Sequence, residues 1–175
     1  MAKIIIFNII RFLVLIILQV AVLKNIGYYN IAVTFPYILI ILLLPIGISN
    51  FSLYTIAFIT GLCIDAFYDS LGIHAAACVV LAFFRISFHK ITIELEEQSS
   101  FNTPSWGNMG FKWYSPYIIL GTLIHHITLF LLEAFTFHNI LQTLTSILLS
   151  SIMTIIIIYV ISLLTYNRKT RVISS

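Results

Sequence analysis

The sequence has little charge. Asp, Glu, Lys and Arg make up 9% of its 175 residues, against roughly 25% in ordinary soluble domains. That excludes a nucleic-acid-binding tail and disorder driven by charge. Cysteine is scarce as well. Cys63 and Cys78 are too few for a disulfide-built scaffold, and no CxxC pair suggests zinc or redox chemistry. Both lie in apolar runs and read as small hydrophobic fillers of packed helices. No HEXXH and no GxSxG occurs, so zinc-protease and serine-hydrolase signatures are missing. No small-x-small cleavage site follows the first apolar run, which therefore reads as an anchor rather than a signal peptide.

What fills the chain is hydrocarbon. Hydrophobic residues account for 61% and the mean hydropathy is +1.08, the composition of a protein dissolved in lipid. A helix needs about 20 apolar residues to cross a bilayer. Six stretches approach that length, at 4–23, 31–48, 51–67, 73–88, 114–135 and 141–166. They are too long and too continuously apolar for barrel strands. The expected fold is one all-α membrane domain over 1–175, a bundle of six transmembrane helices. Pro45, Gly47 and Asn50 mark the turn between the second and third.

Basic residues orient the bundle. Lys3, the loop at about 90–112, and Arg168, Lys169 and Arg171 fall on one side, and Lys24 alone on the other. The positive-inside rule puts both ends in the cytoplasm. Tyr28, Tyr29, Trp106, Trp113 and Tyr114 fall at expected boundaries, where amphipathic rings prefer to sit. The 90–112 loop carries Glu94, Glu96 and Glu97 and is too short for a domain.

Polar residues inside spans must face protein, a cavity or an interface. In the third span Ala57, Gly61, Asp65 and Asp69 form one stripe at four-residue steps, and Gly72 follows in a tight hairpin. Small residues at this spacing admit another helix, so the stripe is a candidate docking face for a partner. Alternatively it is an internal packing face ending in solvated acids. Asp69 or Ser70 is expected to cap the fourth helix, with His74 pairing to Asp69. Arg85 is expected to snorkel toward the cytoplasm, and so is Arg11, with Asn8 as its neighbour. His74, Arg85, His125, His126 and Glu133 are candidates for a polar network that orients helices. Adjacent histidines on a helix do not readily share one metal, so no metal site is expected. Ser146, Ser150 and Thr154 form a second small-residue packing stripe. No catalytic residue and no cofactor site emerges.

These pieces together resemble the MreD family, small membrane proteins of the bacterial rod-shape system. The resemblance rests on Leu18-Gln19-Val20, on Gly61-Leu62-Cys63-Ile64-Asp65-Ala66-Phe67 and on Gly72-Ile73-His74-Ala75-Ala76-Ala77. Phe84-Arg85, Ile124-His125-His126, Leu131-Leu132-Glu133-Ala134-Phe135 and Leu148-Leu149-Ser150-Ser151 extend it over nearly the whole chain. Ile86 departs from it, standing where a proline is expected. The resemblance implies a non-enzymatic inner-membrane scaffold of cell elongation. It implies an MreC-like single-span partner, acting beside MreB filaments, a RodA-like glycosyltransferase and the elongation transpeptidase. It also implies a fold similar to the substrate-binding component of energy-coupling-factor transporters. A vitamin-type transporter subunit is thus the competing expectation, and an intramembrane hydrolase a weaker one.

Overall fold

The computed structural model describes residues 2–25, 32–94, 102–134 and 140–166. Tyr28, Tyr29, Glu96, Glu97, Arg168, Lys169 and Arg171, together with the Lys3 side chain, lie outside the described residues. Among the described residues seven α-helices follow in order: α1 Ala2–Ile17, α2 Leu39–Leu42, α3 Asn50–Tyr68, α4 Ile73–Thr92, α5 Trp106–Met109, α6 Phe111–Ala134 and α7 Ile140–Leu164. Four of them, α3, α4, α6 and α7, are long and apolar enough to cross a membrane. The chain is all-helical among the described residues and is built as a multi-pass membrane protein. α1 continues through a π-helical turn, Leu18–Val22, and a 3-10 turn, Leu23–Asn25.

Two of the six expected spans do not appear as long apolar helices: the apolar part of the first, Ile6–Val22, is shorter than the four, and the second is broken. Residues 31–48 do not form one helix. Residues 33–35 have no helical structure, Pro36–Ile38 make a 3-10 turn, α2 lasts four residues, and the chain then turns at 43–47. Two prolines explain the break. Pro36 disfavours helical geometry at the residue before it, and Phe35 sits at φ −127°. Pro45 closes the other end, since its ring cannot continue a helix. Apolar content alone suggested a continuous span, but the prolines leave only nine residues from Pro36 to Leu44 able to coil.

This broken segment is the centre of the molecule. Tyr37, Ile38, Leu39, Ile41 and Leu42 are wholly buried. Around it stand α4, packed on α3 on one side and on α6 on the other, then α7, and α1 at the edge. The segment runs from the end that holds the α3–α4 hairpin, Asp69–Gly72, to the end where α6 begins and α7 finishes. These are called the hairpin end and the tail end below. Non-helical backbone at membrane depth persists only where protein surrounds it and supplies its hydrogen bonds. The interior polar residues meet that requirement.

Candidate functional site

At the hairpin end, α7 and α1 hold the extended stretch. Ser150 Oγ accepts from the Val33 N–H at 3.0 Å and Thr154 Oγ1 from the Phe35 N–H at 3.0 Å. Gln19, buried on the π-helical turn, donates to the Thr34 carbonyl at 3.0 Å and to the Tyr68 hydroxyl at 2.7 Å. The Ser146, Ser150, Thr154 stripe is buried as expected. Two of its hydroxyls catch a neighbouring main chain rather than another helix.

In the same layer the Tyr37 hydroxyl sits between two imidazoles, 2.9 Å from His74 Nδ1 and 2.8 Å from His125 Nε2. A phenol has one proton to give, so one histidine accepts from it and the other donates to it. His126 bonds the Thr122 carbonyl through Nδ1 and Thr154 through Nε2, at 2.8 and 3.1 Å. Phe35 packs its ring between these groups, 5.2 Å from His74 and 5.6 Å from His126 between centroids. That apolar ring stands between His74 and His126, while the His125 and His126 rings touch with centroids 5.4 Å apart. Among the described residues no three His, Cys, Asp or Glu side chains gather where they could hold a metal ion.

Asp65 is the second anchor. It lies on α3 at 5% exposure. Its carboxylate accepts from the Ser70 hydroxyl at 2.6 Å and from the His74 and Ala75 N–H groups at 2.9 and 3.0 Å. One helix thus caps the start of the next, with negative charge at the positive end of α4. The expectation that Asp69 or Ser70 caps α4 and that His74 pairs with Asp69 is corrected here. Asp69 is exposed and ends α3 in the left-handed region at φ 53°, a conformation in which a short polar side chain is better tolerated than most.

The Ala57, Gly61, Asp65 part of the candidate docking stripe is also corrected. All three residues are buried, and the stripe is filled by α4 of the same chain. A Cβ added at Gly61 would stand 2.3 Å from the Ala75 Cα. Small residues did signal close approach, but of an internal neighbour. Gly61→Ala should therefore destabilise by about 1–3 kcal/mol through overpacking against a backbone that cannot step aside. Measuring unfolding in mixed micelles checks this, and unchanged stability would mean that α3 and α4 are less tightly apposed.

At the tail end four consecutive carbonyls of the broken segment each receive a side-chain donor. Tyr117 donates to Leu42 O at 2.8 Å and Arg11 to Leu43 O at 2.7 Å. Arg85 donates to Leu44 O and Pro45 O at 2.8 and 2.9 Å. Arg11 also bonds the Asn8 side chain. Ile46 N–H reaches the Asn102 carbonyl at 3.0 Å. The expected snorkelling of Arg85 is wrong: it is 2% exposed and points inward. Backbone carbonyls at the end of a short helix are a strong acceptor array, and they hold both guanidinium groups. Arg11 is half-buried and follows the same pull.

The five-residue network expected from sequence therefore divides. His74 and His125 meet through Tyr37, and His126 joins them through the Phe35 contacts and Thr154. Arg85 belongs to the other end. Glu133 is exposed near the end of α6 and joins neither group. Gln19, Phe35, Tyr37 and Tyr117 were not anticipated. The available signal was Pro36 inside an apolar run, which implies orphaned backbone groups in need of partners. Cys63 and Cys78 are free and sit in helices, as expected. The arrangement holds backbone in place. Among the described residues it pairs no nucleophile with a base beside an oxyanion-stabilising group. Comparison with protein-family models, curated proteins and solved structures gives no match.

Proposed function

We propose that this protein is a non-enzymatic membrane scaffold of the MreD type. In this reading it crosses the bacterial inner membrane six times with both ends in the cytoplasm. It docks an MreC-like single-span partner and helps organise lateral peptidoglycan synthesis, and with it cell shape. The observation that carries the reading is that Gln19, Ser150, Thr154, Arg11, Arg85 and Tyr117 are spent on the backbone of the broken segment, and Asp65 on the start of α4. A rigid body with a committed interior works through its surface. The resemblance built on the Gly61–Phe67 and Gly72–Ala77 blocks supplies the biological setting.

Docking follows different faces from those expected. With both small-residue stripes filled, a partner helix would have to lie on an open apolar arc. α1 offers one through Ile6, Ile10, Leu13 and Ile17, and α7 another through Leu148, Ile152 and Ile156. Packing between helices in lipid rests on close fit rather than on hydrophobicity, so a bulky substitution is an effective probe. Ile10→Trp with Leu13→Trp, or Ile152→Trp with Ile156→Trp, should reduce co-purification of the MreC-like partner at least fivefold while membrane insertion is kept. Depletion of the protein in its native cell should turn rods round. Full recovery of the partner with both double variants, or rods that persist on depletion, would overturn the scaffold reading. A small molecule co-purifying in stoichiometric amount would favour the vitamin-type transporter subunit instead.

A further inference from the structure

A polar pocket of about 190 Å³ opens at the tail end, between α5, the start of α6, the end of α7 and the turn at Leu43. At ~30 Å³ per water molecule it has room for about six water-sized groups. Asn108 approaches from α5 and Ser105 from the residue before it, Ser162 from α7 and Thr165 from the residue after it. Tyr114 and Tyr166 add two more hydroxyls, and the Trp106 ring forms a flat wall. Tyr114 and Ser162 are already joined at 2.7 Å, which fixes that side of the pocket. Trp106 is held by Tyr114 in a stacked contact and by Tyr166 edge-on, with centroids at 6.4 and 5.5 Å.

Three features define what such a pocket takes. Among the described residues its lining is hydroxyl, amide and aromatic, with no acidic side chain. Arg11 stands behind Leu43, bonded to that residue's carbonyl and within electrostatic reach of Tyr114, which brings a positive field to the floor. Phe111 packs on the Trp106 wall with ring centroids 5.2 Å apart, and Leu163 and Leu164, which stand in sequence between the lining residues Ser162 and Thr165, are exposed apolar side chains. A hydroxyl-rich hollow with a greasy rim fits an amphiphile whose head carries hydroxyls and a negative charge.

We propose that this pocket binds the headgroup of a glycerol-headed anionic phospholipid. Its terminal glycerol hydroxyls bond to Asn108, Ser105 and Thr165, its phosphate ester faces the Arg11 side, and its chains lie along Phe111, Leu163 and Leu164. This site borders the Arg11–Leu43 clamp of the broken segment and does not depend on the scaffold reading.

The test uses the full chain purified in a neutral detergent. Its melting temperature and lipid retention, the latter by native mass spectrometry, are measured with added phosphatidylglycerol, phosphatidylethanolamine or free glycerol 3-phosphate. Phosphatidylglycerol should raise the melting temperature and be retained at one per chain, at least threefold more than phosphatidylethanolamine. Thr165 is exposed, so Thr165→Phe should fill the pocket without disturbing the fold and remove the preference. Asn108→Ala should weaken it. Equal retention of the two lipids, or a preference that survives Thr165→Phe in a protein of unchanged basal melting temperature, would overturn the proposal. Equal stabilisation by free glycerol 3-phosphate would assign the pocket to a soluble phosphate ester and overturn the lipid.

Discussion

Asp65→Ala is expected to lower stability by about 3–5 kcal/mol, because two buried N–H groups at the start of α4 lose a charged acceptor worth roughly 1.5–3 kcal/mol each. Both distances, 2.9 Å to His74 N and 3.0 Å to Ala75 N, are short enough for full-strength bonds. The third acceptance, from Ser70, matters less, since that hydroxyl is only part-buried. Asp65→Asn should fall between, because an amide oxygen still accepts but brings no charge to the helix terminus. Asp69→Asn, on an exposed residue in a left-handed turn that asparagine also tolerates, should change stability by less than about 0.5 kcal/mol. Equilibrium unfolding of the three variants in mixed micelles decides the matter. Equal effects at 65 and 69 would mean that the cap is formed by the hairpin and not by α3.

The contrast between these two acids shows where sequence reading ran out. Their spacing placed both on one helical stripe, and the glycine between Ala57 and Asp65 marked a close approach. The second inference holds, and the first fails at Asp69, which leaves α3 as its left-handed cap. Which helix makes the approach is a question of chain path, and periodicity carries no information about it. Fourteen residues separate Gly61 from Ala75, so the nearest available surface was the returning helix of the same hairpin. A partner in another chain has to compete with that proximity. Likewise the histidines were legible as an interior polar group, while Tyr37 that joins them was lost inside an apolar run. Tyrosine counts as hydrophobic in such a run although its hydroxyl requires a partner when buried. The broken segment was the largest miss. Hydropathy averages over Pro36 and Pro45, yet those two residues set the number of orphaned backbone groups. That number in turn explains why Gln19, Ser150, Thr154, Arg11, Arg85 and Tyr117 point inward. The long helices α3, α4, α6 and α7 were readable within a few residues because their apolar runs contain no such interruption in mid-span. Pro116 lies only six residues into α6, close to its exposed start.

Two opposing terms decide the outcome of Arg85→Met. The substitution removes a guanidinium buried without a carboxylate partner among the described residues, and desolvating such a charge costs several kcal/mol. It also strips the donors from Leu44 O and Pro45 O, at roughly 1–3 kcal/mol for each buried acceptor left unpaired. In the native fold the two short bonds to carbonyls at a helix end already offset much of the desolvation. Arg11, close enough to repel Arg85, gains when it is gone, but its donor is engaged at Leu43 and reaches only one carbonyl. The backbone loss therefore exceeds the relief, and a net destabilisation of about 2–4 kcal/mol is expected. The damage should be local. Amide hydrogen exchange should rise most at residues 43–48 and far less at α3 or α6, because Tyr117 still holds Leu42. Arg85→Lys should recover part of the loss, since an ammonium can reach one carbonyl but lacks the planar fork that serves two. A methionine variant as stable as the parent, with unchanged exchange at 43–48, would mean that the turn is fixed by its prolines alone.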